Sequence, residues 1–218
     1  MLPQLEGVAM IDWLIGPVSV FGLPSTPAEL LGFVTGVLCV WLVVRQHVWN
    51  WPLGIANVAL LMLVFWEVGL FADAGLQIVF VLLNAYGWWQ WVYGGPRRNE
   101  LPVRVATRNE WLVLLAAGAV ATGALWLFLD RLTPSTVPLA DGLTTALSLM
   151  AIYWQAIKRL ESWWLWIVAD VIYIPLYGYK GLWFTAILYV VFLSLCVVGL
   201  LAWRKDLMQQ RVPATATT

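Results

Sequence analysis

The sequence predicts an all-α integral membrane protein: seven transmembrane helices arranged as two parallel three-helix repeats joined by a linker helix (3+1+3). Three observations predict it. The chain is apolar almost from end to end, its positive charges gather in alternate connections, and its two halves resemble each other. Of 218 residues, 62% are hydrophobic and 11% charged, and the mean hydropathy is +0.82, far from the roughly 45–50% apolar and about 25% charged of a soluble domain. The formal net charge is zero, so no basic surface is available to neutralise phosphates and no nucleic-acid partner is expected.

The first apolar stretch, 8–23, is interrupted by Asp12, Gly16 and Pro17 and is preceded by no Lys or Arg. A cleaved signal peptide needs a positive leading region, so this stretch reads as an attached interfacial helix. Seven apolar runs follow, at 27–45, 51–70, 75–93, 109–129, 138–157, 163–177 and 182–203, each near the length a bilayer requires. The implied organisation is an N-terminal segment with its interfacial helix (1–26), a first three-helix unit (27–95), a linker with the fourth helix (96–132), a second three-helix unit (133–205) and a cytoplasmic tail (206–218).

With seven spans, one set of alternate connections holds ten Lys and Arg, including Arg45, Arg97, Arg98, Arg104 and Lys158, and the other holds only Arg131 and Lys180. Excess positive charge marks the cytoplasmic side. The asymmetry predicts an outside N-terminus and a cytoplasmic C-terminus.

Sliding the chain on itself by 113 positions pairs Thr35 with Ser148, Trp41 with Trp154, Arg45 with Lys158, Trp51 with Trp164 and Asn57 with Asp170; a slip to 112 then pairs Gly69 with Gly181 and Gln77 with Tyr189. The displacement covers four spans, an even number, so the two copies are parallel and the fourth span inverts the chain between them. Internal repeats of this kind are common in transporters.

Polar side chains within hydrocarbon are costly and persist where they face protein or water. In the first unit these are Asn57, Gln77 and Asn84, with Glu67 and Asp73 nearby. Gln77 and Asn84 are two helical turns apart, and Trp88 extends their stripe by one more turn. The second unit offers Thr144, Thr145, Ser148 and Gln155, then Asp170, Tyr173 and Tyr177, then Tyr189. For the hydroxyls, bonding back to a helical carbonyl is an equal reading. Trp49, Trp51, Trp91, Trp111, Trp163 and Trp203 lie near span ends and read as interfacial belt residues, whereas Trp66, Trp88, Trp166 and Trp183 are free for an aromatic pocket. Indole faces attract cationic rings, and Asp170 balances such a charge.

The one His, His47, sits at a span end, and Cys39 and Cys196 stand alone in apolar runs, so no metal site or cofactor is expected. No phosphate-cradling G-x4-G-K-[ST] loop is present, which excludes ATP-driven transport by this chain alone. Nor is an enzyme expected, because Asp170 is the sole deep carboxylate of the later spans.

Several runs resemble the PnuC family of bacterial vitamin transporters: N-W-P-L-G-x2-N at 50–57, A-D-A-G-L-Q at 72–77, Y-G-W-W-x-W at 86–91, D-x2-T-T-x2-S at 141–148, and a late W-x2-W followed by Lys180-Gly181-Leu182 and Tyr189. The resemblance covers about residues 27–205. It implies a SWEET-like 3+1+3 bundle, a homotrimer in the bacterial inner membrane, and uniport of nicotinamide riboside made directional by a separate cytosolic kinase, in the service of NAD biosynthesis. Thiamine and riboflavin are the alternative substrates, and a substrate-capture subunit of an ATP-driven importer is the alternative role. The substrate-binding residues expected are Asn57, Gln77, Asn84, Trp88, Thr145, Ser148, Asp170, Tyr173, Trp183 and Tyr189.

Overall fold

A computed structural model describes residues 13–20, 22–67, 71–95, 101–133, 135–181 and 183–211. Two short strands, β1 (Val18–Val20) and β2 (Leu23–Ser25), precede seven long helices: α1 (Pro27–Val44), α2 (Asn50–Glu67), α3 (Phe71–Tyr93), α4 (Arg108–Leu132), α5 (Pro138–Ala156), α6 (Ser162–Tyr179) and α7 (Trp183–Arg211). The seven apolar runs are therefore seven helices, and α7 continues past Trp203 as a polar extension. Among the described residues, α4 and α7 are long and apolar enough to cross a bilayer. The outer surface of α4 is bare hydrocarbon, with Leu112, Val113, Leu115 and Val120 exposed, a patch that suits lipid rather than water. Gly69, Arg97 and Arg98 lie outside the described residues, as do the side chains of Glu67 and Asp73.

Of the apolar stretch 8–23 expected as an interfacial helix, residues 8–12 lie outside the described residues and 13–15 are helical. The helix ends at Gly16 and Pro17, since proline offers no donor to continue it, and strands follow where helix was expected. Val18 and Val20 then extend as β1, and Gly22 turns the chain with φ +81° so that Val18 pairs with Ser25 in an antiparallel hairpin. Only glycine holds that φ without strain.

The helices close a ring. α1 packs on α2 and on α7, α2 on α3, α3 on α5, α5 on α6 and α6 on α7, while α4 joins the ring through α5. Within the ring one set of contacts occurs twice. The α1–α2 turn has Gln46 at φ 52° and the α5–α6 turn has Lys158 at φ 51°, and each turn is closed by the same pattern of backbone bonds: Gln46 N–H to Val43 and His47 N–H to Leu42 in one, Lys158 N–H to Gln155 and Arg159 N–H to Trp154 in the other. Trp51 meets Trp91 edge-on at 5.4 Å, and Trp163 meets Trp203 edge-on at 5.4 Å. The Trp51 ring covers Gly87, and the Trp163 ring covers Gly199. In every pair the members are 112 positions apart, the separation of Gln46 and Lys158.

That register corrects the alignment read from sequence. Trp51 answers Trp163 rather than Trp164. Asn57 stands opposite Ala169, Asp170 opposite Val58, and Asn84 opposite Cys196. The belt reading of four tryptophans also fails, because Trp51, Trp91, Trp163 and Trp203 are buried. They form a row, with 6.1 Å between the central Trp91 and Trp203 rings. Glycines at 87 and 199 admit the outer indoles; any Cβ there would overlap the ring.

The two turns meet at one end of the bundle. Lys158 Nζ donates to Gln46 Oε1 at 2.9 Å, Gln46 Nε2 donates to Asp206 Oδ2 at 2.5 Å, and the ammonium lies 4.5 Å over the Trp91 ring. Burial lowers the Lys158 ammonium from its ordinary 10.5 to about 8, and the Asp206 carboxylate acts in the opposite direction. The segment before α4 is fixed here too. Arg104 pairs in parallel with Arg159 as a β-bridge, the Ala106 N–H donates to both Glu161 oxygens at 2.9 and 3.0 Å, and Arg159 is paired with Glu110. At the opposite end Asp141 accepts from Ser135 at 2.7 Å and from Lys180 at 2.8 Å, tying the start of α5 to the α6–α7 turn.

Candidate functional site

Between the middle of α5, the last turns of α6 and the first turns of α7 the structure gathers hydroxyl and aromatic groups. Tyr173 and Tyr177 are one helical turn apart on α6 and stack at 5.5 Å. Tyr189 of α7 faces both, at 4.6 Å from Tyr173 and 5.1 Å from Tyr177. Phe192 closes the group edge-on to Tyr189 at 5.6 Å. Three phenols and a phenyl thus provide stacking faces with polar rims.

Ser148 on α5 brings the polar partner. Its Oγ lies 3.4 Å from the Tyr173 hydroxyl and also donates to the Thr144 carbonyl at 2.9 Å. The buried Thr144 likewise bonds back to Ala140 at 2.9 Å. Ser148 thus satisfies its own helix and also reaches across to α6. Thr145 is half-buried.

One turn before Tyr173, Asp170 is buried on α6, and its Oδ2 accepts from Cys196 Sγ of α7 at 3.4 Å. A thiol is a weak donor, so this carboxyl is thinly partnered for a group in an apolar interior. Lower on the same helix, Trp166 Nε1 donates to Gln155 Oε1 of α5 at 2.7 Å. The α6 sequence W-x2-W-x3-D therefore projects Trp163 into the tryptophan row, Trp166 to α5 and Asp170 to α7.

The first half contributes separately. Asn57 Nδ2 on α2 donates to Thr35 Oγ1 on α1 at 2.5 Å. The next residue, Gly36, has no Cβ, and one would stand 2.8 Å from the Phe192 ring. The missing methyl lets α1 approach α7. Asn84 is buried, donates to Phe80 O at 2.8 Å and packs its Oδ1 against Gly54 of α2. Gln77 is half-buried on α3. Trp88 and Trp183 are 42% and 60% exposed, on the outside of the bundle.

Of the ten residues expected from sequence, Ser148, Asp170, Tyr173 and Tyr189 come together, and Asn57 bonds to Thr35 of α1. Among the described residues no hydrogen bond or ring contact joins Gln77, Asn84, Trp88, Thr145 or Trp183 to the group. Thr35, Phe192 and Cys196 were missed. Cys196 read as an isolated apolar residue; its signal was the 112-position relation to the buried Asn84. Among the described residues no cluster of His, Cys, Asp and Glu has metal-binding geometry. The group sets hydroxyls, aromatic rings and a buried carboxyl side by side between α5, α6 and α7.

The chain is similar to several known proteins. The chain is 24% identical over 212 residues to the nicotinamide riboside transporter PnuC of Escherichia coli, covering 86% of this chain and 89% of that one. It is 30% identical over 180 residues to the riboflavin/roseoflavin transporter RibM of Streptomyces davaonensis, covering 81% and 84%. A crystal structure of the vitamin B3 transporter PnuC superposes with a TM-score of 0.66 at 25% identity, covering 94% of this chain and 88% of that one. The family model for nicotinamide mononucleotide transporters matches residues 26–205, from the start of α1 into α7, so this chain belongs to the PnuC family of nicotinamide mononucleotide and riboside transporters.

Proposed function

We propose that the protein carries nicotinamide riboside by facilitated diffusion across the bacterial inner membrane. The observation that carries this reading is the group Ser148, Tyr173, Tyr177 and Tyr189 beside the buried Asp170. Stacked phenols suit a pyridinium face, a carboxylate suits its charge, and the hydroxyls with Asn57 suit a carboxamide and ribose. Gln77, Asn84, Trp88, Thr145 and Trp183 belong to the proposed set as residues that a moving bundle brings to the solute.

In this reading the chain is a 3+1+3 bundle of seven spans. The ring of contacts and their recurrence at 112 positions support it. Two parallel units, 27–95 and 133–205, rock about the solute while α4 inverts the chain between them. The basic end is cytoplasmic, the N-terminus is outside, and the protein is a homotrimer. A separate cytosolic kinase traps the riboside, so the chain itself needs no ion or ATP. Because RibM is 30% identical, riboflavin is the second reading.

Purified protein in liposomes tests both. Labelled nicotinamide riboside should equilibrate without voltage, pH gradient or ATP, and excess unlabelled riboside should drive counterflow. Uphill accumulation would overturn uniport, and counterflow by riboflavin alone would overturn the substrate.

A further inference from the structure

A groove of about 570 Å³ runs along the outer seam of α4 and α5, away from the tyrosine group. Its floor is made of small residues, Gly118, Ala121 and Ala146, and its sides are apolar as far as Trp154 and Ile157. Polar lining occurs only at one end, where Asn109 and Glu110 begin α4. From Asn109 to Ala121 the groove follows α4 for about 18 Å at 1.5 Å per residue.

The strip between the two helices is apolar along this length and accepts an extended hydrocarbon chain. Exposed Arg104 and Arg108 stand at the polar end and enter none of the ion pairs among the described residues, whereas Arg159 is committed to Glu110. An apolar slot capped by unpaired positive charge is complementary to an anionic amphiphile.

We propose that this seam binds one anionic phospholipid, an acyl chain lying in the slot and the phosphate held by Arg104 and Arg108. The lipid would fasten α4 to the ring along the part of α5 that lies behind Ser148.

Native mass spectrometry of the full chain in mild detergent, with phosphatidylglycerol and phosphatidylcholine added in equal amounts, tests the site. Wild type should retain one phosphatidylglycerol per chain in preference to phosphatidylcholine. Ala117→Trp, which fills the open side of the slot, should lower that retention about tenfold. Arg104→Gln with Arg108→Gln should leave binding of phosphatidylcholine unchanged and cut that of phosphatidylglycerol about fivefold for each arginine removed. Equal retention of both lipids by wild type would overturn the proposal, as would undiminished retention by Ala117→Trp. A change in oligomer mass in Ala117→Trp would assign the seam to a second copy instead. Should Ala117→Trp fail to fold, the arginine pair, whose side chains lie outside the slot, decides by itself.

Discussion

The indoles of Trp91 and Trp203 stand 6.1 Å apart, and each donates its N–H at 3.2 Å to the far half of the chain: Trp91 to the Gln155 carbonyl, Trp203 to the Val43 carbonyl. Each bond ties the last part of one unit to the end of the first helix of the other. Trp91→Phe and Trp203→Phe should each cost about 1–3 kcal/mol, because each removes one buried N–H···O bond and leaves a smaller ring in the row, while the carbonyl keeps its turn donor from Lys158 or Gln46. The double variant should cost less than the sum, since the rings touch. Chemical denaturation of the four proteins measures this.

The glycines under the outer indoles make a second test. Gly87→Ala and Gly199→Ala should each lower stability by about 1–3 kcal/mol through overpacking against Trp51 and Trp163. Gly123→Ala on α4 meets nothing within 4 Å and should be neutral or stabilising by up to about 1 kcal/mol. Thermal melts in one detergent compare the three.

Lys158 predicts a pH dependence. Its folded value of about 8 lies below the ordinary 10.5, so between those values the unfolded chain binds the proton that the folded chain has released. Stability should therefore rise from about pH 8 towards 10.5, and below about 8 the cost of the buried charge is constant. In Lys158→Met this rise should be absent when melting is followed across that range.

Asp170→Asn should weaken binding of nicotinamide riboside about tenfold or more, the loss of one charge-assisted contact, and leave riboflavin binding unchanged. Tyr173→Phe keeps the stacking face and removes the hydroxyl that meets Ser148, so its effect should be smaller. Calorimetric titration of each variant with both vitamins distinguishes them.

Glu161 holds the segment before α4 through two bonds to one amide. Glu161→Gln should loosen residues 101–107, seen as faster amide exchange at Ala106, while α5 and α6 keep their protection.

The helices were legible because apolar runs punctuated by charged turns carry their own boundaries, and α1, α5 and α6 match within two residues at both ends, whereas α3 begins four residues early and α7 runs eight residues further. The register of the repeat was not. Trp163, Trp164 and Trp166 offer several matches for Trp51, and only the facing glycines at 87 and 199 select Trp163. Position near a span end likewise fails to separate an interfacial indole from a buried one; Trp49 is 64% exposed and Trp51 1%, two residues apart. At the candidate site, Tyr173 and Ser148 followed from helical spacing. Thr35 and Cys196 depended on which helices become neighbours, and no local pattern states that.

Gln46 and Lys158 share one left-handed backbone conformation, and their side chains touch. Were two identical first halves to associate in this geometry, each would bring a glutamine to the shared point, with no cation to lie over the indole. Two identical second halves would bring lysine against lysine. Divergence at this contact makes the two turns complementary, an amide oxygen from one receiving the ammonium of the other.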